Sequence, residues 1–204
     1  MTPVMKKFAL AFAAALLLAT PVLAQETPGA ADPSRVSGGV YKVDPNHTQV
    51  VWSVDHMGFS TLTGMFGQMS GSLTLDPKDP SAAKLEIEAP MAGLTVTAEK
   101  FHAHLLSKEL LDAGKFPSAS FKSTSVAVSG QTAKITGDLT LHGVTKPVTL
   151  DAVFQGAGVN PMSKAETVGF SATGSVKRSD FGLGAFAPVV SDELRLTIAG
   201  AFEK

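Results

Sequence analysis

The stretch that decides the fold is residues 84–89, Lys-Leu-Glu-Ile-Glu-Ala, in which charged and apolar side chains alternate without interruption. A period of two places Leu85, Ile87 and Ala89 on one face of a strand and the charged residues on the other. The same alternation recurs along the rest of the chain, at residues 48–57, 67–76, 118–128, 132–141, 147–154, 167–176 and 194–202. The pattern therefore predicts an all-β protein of about eight strands with short polar turns.

An all-β chain must pair its edge strands or curl into a closed sheet. We expect a closed antiparallel β-barrel, with a sandwich of two sheets as the alternative. An outer-membrane barrel is disfavoured because one Trp and one Tyr cannot form aromatic girdles. Gly137 interrupts its strand and indicates a bulge or bend there.

One segment departs from the strand pattern. Residues 97–113 contain helix formers, with Phe101, Leu105 and Leu110 at helical spacing. Ser107 is a suitable N-cap for a helix over residues 108–112, and Gly114 lies where the C′ glycine that ends such a helix is expected. The sequence predicts one or two short helices that cover a barrel mouth.

The N-terminus has the three marks of a cleavable export signal. Lys6 and Lys7 precede an apolar run, residues 8–19, and small residues follow up to Ala24. The run is shorter than the roughly 20 residues that a membrane span requires. We therefore expect a signal peptide at residues 1–24, a flexible leader rich in Pro, Gly, Ala and Ser at 25–39, and the folded domain at 40–204.

Composition excludes several classes of function. The chain has 17 basic and 18 acidic residues, and two of the basic residues lie in the predicted signal peptide. This balance disfavours a nucleic-acid partner, which requires a clustered basic face. Because the sequence contains no Cys, thiol catalysis and thiolate metal sites are excluded.

Five blocks of sequence carry a resemblance to a known family. They are residues 56–60 (HMGFS) with Gly64 and Phe66, residues 104–117, residues 121–124 (FKST), residues 137–148 (GDLTLHGVTKPV) and residues 178–182 (RSDFG). In this order they resemble the YceI-like proteins over essentially all of residues 41–204. The resemblance implies a lipocalin-like barrel in the bacterial periplasm that binds a long polyisoprenoid chain in an elongated apolar pocket.

The chain departs from the family pattern beside that pocket. Phe101-His102 stands where the family usually has Arg-Asp, and Leu106 stands where Arg or Lys is common. If those charges hold a polar head group in relatives, the head group bound here differs or is uncharged. Lys100 and Arg178 are the candidate substitutes.

Phe and Met side chains occur in nearly every predicted element, which suits either a packed core or a slot for a flexible chain. The resemblance favours the slot. The predicted lining residues are Phe59, Phe66, Leu105, Phe116, Phe121 and Phe181. The predicted polar contacts near the head group or mouth are His56, His104, His142 and Arg178.

Neither catalytic nor metal-binding residues are predicted. His102 and His104 are the only close His pair, and on a helix residues two apart point in nearly opposite directions. The serines lack a nucleophile-elbow pattern, although a triad built from distant residues stays open.

The main hypothesis is a periplasmic carrier that sequesters a long isoprenoid or similar amphipathic lipid, either quinone-like or a prenyl phosphate, without catalysis and without a cofactor. The alternatives are a hydrolase or other enzyme acting on a lipid-like substrate, and a filled-core structural or stress-response protein. The protein is not expected to be embedded in the membrane. A homodimer, formed through an exposed edge strand, is preferred over a monomer.

Overall fold

The computed structural model describes residues 27–204. The predicted signal peptide, residues 1–24, and the first two residues of the predicted leader lie outside the described residues.

The described chain is mostly β-strand, with a short α-helix between the sixth and seventh strands. The elements are β1 (Gly39–Val43), β2 (Gln49–His56), β3 (Ser60–Phe66), β4 (Ser70–Leu75), β5 (Lys84–Pro90), β6 (Leu94–Thr95), α1 (Glu99–Leu106), β7 (Ser118–Ser129), β8 (Thr132–Leu141), β9 (Val144–Val159), β10 (Glu166–Lys177) and β11 (Glu193–Glu203).

These strands form a closed antiparallel barrel of eight. The hydrogen-bonded ring runs β1-β4-β5-β7-β8-β9-β10-β11 and returns to β1 through the pairs Lys42–Glu203 and Val43–Phe202. Across a bend in each case, β2 continues β1, β4 continues β3, and β6 continues β5. Three of the eight barrel strands are therefore interrupted by a bend. The predicted eight-stranded barrel is confirmed, and the two-sheet sandwich is excluded.

Polar side chains and glycines make the bends. Between β1 and β2 the Thr48 hydroxyl donates to the Ala201 carbonyl and accepts from the Ala201 N–H, both at 3.0 Å, so the ladder continues past the break. Asp44, which is buried, accepts from the His47 ring and from the Asn46 N–H. The other two bends are joined to each other, because the N–H of Gly67, between β3 and β4, donates to the carbonyl of Gly93, between β5 and β6.

Alternation sets the faces of the strands as predicted. Leu85 and Ile87 of β5 point into the barrel, while Glu86 pairs outside with Lys122 at 2.8 Å. The bulge expected at Gly137 is present at that point of the β7–β8 ladder, but the extra residue, Thr124, lies in β7. A side chain at Gly137 would meet the Phe121 ring at 2.5 Å, which explains the glycine there.

The barrel has two distinct ends, because consecutive strands run up and down. The end that we call the helix end carries the β2–β3 turn, α1 with the turns that follow it, the β8–β9 turn, and the connection from β10 to β11. The opposite end, which we call the strap end, carries the segment before β1 and the β4–β5, β7–β8 and β9–β10 connections.

α1 confirms the prediction of one or two short helices over a barrel end, and the optional second helix at residues 108–112 does not form. Residues 108–112 form turns, and Ser107 is the C-cap of α1. Its hydroxyl donates to the His104 carbonyl at 2.7 Å and accepts from the Glu109 N–H at 3.3 Å, so it joins the last turn of α1 to the turn that follows.

The segment of residues 28–36, which we call the strap, packs across β9 although the sequence predicts a flexible leader. Ala30 and Ala157 exchange two backbone hydrogen bonds of 3.1 and 2.9 Å. Gly158 makes room for the crossing, since a Cβ there would lie 2.1 Å from the Pro28 carbonyl oxygen. The strap therefore has defined contacts that its composition does not reveal.

Candidate functional site

A cavity of about 910 Å³ occupies the inside of the barrel. Its wall includes Leu105 of α1 at the helix end and Pro33 and Val36 from the strap segment at the other. It therefore runs the length of the molecule, enclosed by the inward faces of the strands.

The wall is almost entirely apolar. Its polar side chains, apart from the Trp52 indole, are Thr48, His56, His104, Ser120, Gln131, Thr132, Ser171 and Arg178. Arg178 is the only Lys, Arg, Asp or Glu among them. Such a surface suits a hydrocarbon chain and offers very little to a charged ligand.

Three alanines keep the middle of the cavity wide. Ala133, Ala152 and Ala172 are direct neighbours across β8, β9 and β10, and all three line the cavity. Larger side chains at these inward positions would fill the space, as interior residues do in small barrels. The sequence-based predictions did not include these alanines. They could have been recognised as small residues at inward-facing positions of strands whose other inward-facing residues are Leu, Ile and Phe.

Aromatic rings form much of the remaining wall. Phe154, Phe170 and Phe202 follow one another with ring centroids 5.7 and 6.2 Å apart. Trp52 lies against Gly64, where a Cβ would come within 2.2 Å of its ring. Its indole Nε1 is buried and has no hydrogen-bond partner among the described residues.

Arg178 lies beside the cavity, and four of its five N–H donors bond to backbone carbonyls. Its Nε donates to the Ser191 carbonyl at 2.9 Å, and Nη2 donates to that of Val190 at 3.0 Å. Nη1 donates to the carbonyls of Leu183 at 2.6 Å and Ala185 at 3.1 Å. Burial lowers the pKa of the guanidinium from its ordinary value, with Asp192 acting in the opposite direction. Arg178 thus fastens the β10–β11 connection, a role that the sequence did not indicate.

Six of the ten predicted site residues line the cavity: Phe66, Leu105, Phe121, His56, His104 and Arg178. That they contact a ligand stays a prediction. Both histidines lie at the helix end, where the His104 ring meets Phe186 edge-on with centroids 6.2 Å apart. The proposed substitute Lys100 is exposed on α1 and does not line the cavity.

The other four predicted site residues lie outside the cavity lining, which corrects their sequence-based placement. Phe181 is fully buried in the core beneath the β10–β11 connection. The His142 Nδ1 lies 3.2 Å from the carbonyl oxygen of Phe181, and the His142 ring packs on that of Phe116, with ring centroids 4.6 Å apart. Phe59 is 88% exposed in the β2–β3 turn. These residues follow the strand alternation poorly because each belongs to a turn or connection.

In residues 27–204, no group of three or more His, Cys, Asp or Glu side chains is arranged to hold a metal ion. No helix in this part of the chain is long and apolar enough to cross a membrane.

Fold and cavity together define a class, the small closed lipocalin-like barrels with a hollow apolar interior. The family model of the YceI-like domain matches residues 41–202, and the chain belongs to this family. It is 39% identical to a UPF0312 protein of Pseudomonas putida, over 80% of this chain and 87% of that protein. It is also 39% identical to the protein YceI of Salmonella arizonae, over 78% of this chain and 84% of the relative.

Solved structures have the same fold. BcnA of Burkholderia cenocepacia superposes with a TM-score of 0.70 at 22% identity, covering 78% of this chain and 98% of BcnA. A YceI protein of Campylobacter jejuni gives 0.65 at 28% identity, covering 74% and 89%. A polyisoprenoid-binding domain of Saccharophagus degradans gives 0.63 at 14% identity, covering 80% and 97%.

Proposed function

We propose that the protein binds one long apolar lipid of the isoprenoid type inside the barrel and acts as a carrier, without catalysis. The observation that carries this proposal is the apolar cavity of about 910 Å³ that extends from α1 to the strap. The Saccharophagus structure of the same fold, described as a polyisoprenoid-binding domain, supports the choice of ligand. The cavity also leaves the filled-core alternative without support.

Apolar burial alone is sufficient for tight binding. Each methylene group removed from water contributes about 0.8 kcal/mol, so a prenyl chain of several units gains many kcal/mol in this wall. No hydrogen bond from the protein is needed to hold the tail.

The lining favours a ligand with an uncharged head group. Among residues 27–204, Arg178 is the only Lys or Arg in the wall, and four backbone carbonyls already accept from it. An anionic head inside the barrel would therefore meet an apolar wall in which Arg178, the one cation, has already directed four of its five N–H donors to backbone carbonyls, and such burial of an anion is unfavourable. We expect a quinone-like lipid or a prenyl alcohol rather than a prenyl phosphate.

The proposed compartment is the periplasm, reached through a cleaved signal peptide at residues 1–24. There, a closed barrel would carry an apolar lipid through water.

Native mass spectrometry of protein purified from the periplasm tests the proposal, together with an organic extract of the same sample. We expect a bound mass that is released unchanged into the extract and has a neutral head group. If a prenyl lipid is added to the protein and the mass recovered differs from the mass added, an enzyme is favoured. The carrier proposal is abandoned if apo protein is recovered and also takes up no added prenyl lipid.

A further inference from the structure

An apolar patch surrounds the cavity entrance at the helix end. It consists of Met57, Phe59, Phe186 and Val189, which are 50%, 88%, 51% and 56% exposed. We call these four residues the mouth patch. Exposed apolar groups that cluster in this way mark a surface that contacts a membrane or another protein.

Two connections hold the mouth patch together. Met57 and Phe59 belong to the β2–β3 turn, and Phe186 and Val189 belong to the β10–β11 connection. The Met57 N–H donates to the Val189 carbonyl at 2.8 Å, and the Val190 N–H donates to that of Phe186 at 2.8 Å. Arg178 fastens the second connection, so the exposed side chains have a supported backbone.

The mouth patch is continuous with the cavity. Met57, Phe186 and Val189 line the cavity as well as facing solvent, while Phe59 points entirely outward. A hydrocarbon chain could therefore pass from outside into the barrel without leaving an apolar surface. Continuity of this kind is useful where the ligand is stored in a bilayer.

We propose that the mouth patch docks on the surface of a lipid bilayer, with Phe59 inserted among the lipids, so that the ligand enters the barrel directly from the membrane. This proposal rests on the lipid-binding function proposed above. Apolar side chains such as Phe and Leu, buried at the boundary between the lipid head groups and the acyl chains, attach a protein to a membrane surface.

The area of the mouth patch disfavours a second copy of the chain as the occupant. A buried aromatic side chain contributes about 150–250 Å², so four partly exposed residues supply on the order of 400 Å². A stable protein interface buries about 800 Å² on each partner.

The four residues of the mouth patch carry no charge. Asp55, on the strand that leads into the patch, is paired with Arg195 at 2.7 Å. Attachment should therefore occur on uncharged lipid and change little with ionic strength.

The experiment compares the protein with Phe59→Asp and with a matched control, Met162→Asp. Met162 is 89% exposed but lies in the β9–β10 turn, at the strap end. Each protein is floated with phosphatidylcholine vesicles that contain a long-chain prenylquinone, at low and high salt. Equilibrium uptake of the same quinone from detergent is measured in parallel.

We expect the protein and Met162→Asp to bind the vesicles at both salt concentrations, and Phe59→Asp to bind at least about tenfold more weakly. Uptake from detergent should be equal in all three proteins, since Phe59 lies outside the cavity. Equal vesicle binding by Phe59→Asp, attachment that high salt removes, or a dimer that Phe59→Asp converts to monomer would each overturn the docking proposal. If no protein takes up quinone from detergent, the carrier function fails instead, whatever the vesicles show.

Discussion

The width of the cavity at the alanine row gives a direct test of the binding site. Ala152 is 4% exposed, lines the cavity and lies between Ala133 and Ala172 on the neighbouring strands. Ala152→Phe adds a phenyl ring that has only the cavity to occupy. The variant should fold, because the ring enters existing space instead of displacing packed side chains.

The ring should displace ligand in proportion to its size. It takes the place of about six methylene groups of a bound chain, each contributing about 0.8 kcal/mol, so binding weakens by about 5 kcal/mol. Since about 1.4 kcal/mol corresponds to a factor of ten, the dissociation constant should rise roughly a thousandfold or more.

Titration with a fluorescent prenyl lipid measures this change, and thermal unfolding checks that the variant is folded. Ala127→Phe is the matched control, because Ala127 is exposed on β7 opposite Lys134 and the same ring there projects outward. If folded Ala152→Phe binds the lipid as tightly as the control, the ligand does not occupy the barrel and the reasoning is refuted.

Three further outcomes are expected. Arg178→Leu should lower the free energy of unfolding by about 2–4 kcal/mol in denaturant titrations, since four carbonyls lose a charged donor; a change below the error of the titration would contradict its fastening role. Gly158→Ala should dislodge the strap and speed tryptic cleavage after Arg35. Gly169→Ala is the control and should not, because its Cβ would meet only ordinary contacts at 3.9 Å. Equal cleavage of both variants would show that the strap does not depend on the crossing at Gly158. The third concerns pH. The hydrogen bond to Asp44 raises the pKa of His47 above its ordinary value of 6.5. Burial acts to raise the pKa of Asp44, but its hydrogen bonds outweigh burial and hold that pKa below its ordinary value of 3.8. The pair therefore stabilises between these two ordinary values, and its contribution is lost as pH rises through the His47 pKa or falls through the Asp44 pKa; thermal melts of His47→Gln should show the largest deficit between them and little at pH 9, and a deficit independent of pH would contradict this.

The strands could be predicted from sequence because half-buried strands alternate, and that alternation depends only on which residues face the interior. β1, β3 and β6 were missed, since each is short or interrupted by Gly and ends at a bend. The bend between β1 and β2, for example, depends on Thr48 bonding to Ala201, which lies 153 residues away along the chain. Contacts of that range leave no local signal.

The candidate site was predictable to the extent that it follows the strands. Phe66 and Phe121 lie on strands and line the cavity, whereas Phe59, Phe116 and Phe181 lie in turns and connections whose paths are set by tertiary contacts. Likewise, the charge of Arg178 suggested a ligand contact, and only the structure shows that carbonyl groups accept from its donors.

Closure of the ring by β1, β2 and β11 has a consequence for folding kinetics. Every other pairing in the ring joins strands that are adjacent in chain order or separated by one short intervening segment, and can form before the last strand is in place. The pairing of β11 with β1 and β2 joins the two ends of the domain. The chain loses the entropy of closing this long loop before it gains the contacts between the paired strands. Until β11 is paired, the sheet is open and its apolar face is exposed to water, so the partly folded chain is most prone to aggregate just before its final strand is in place.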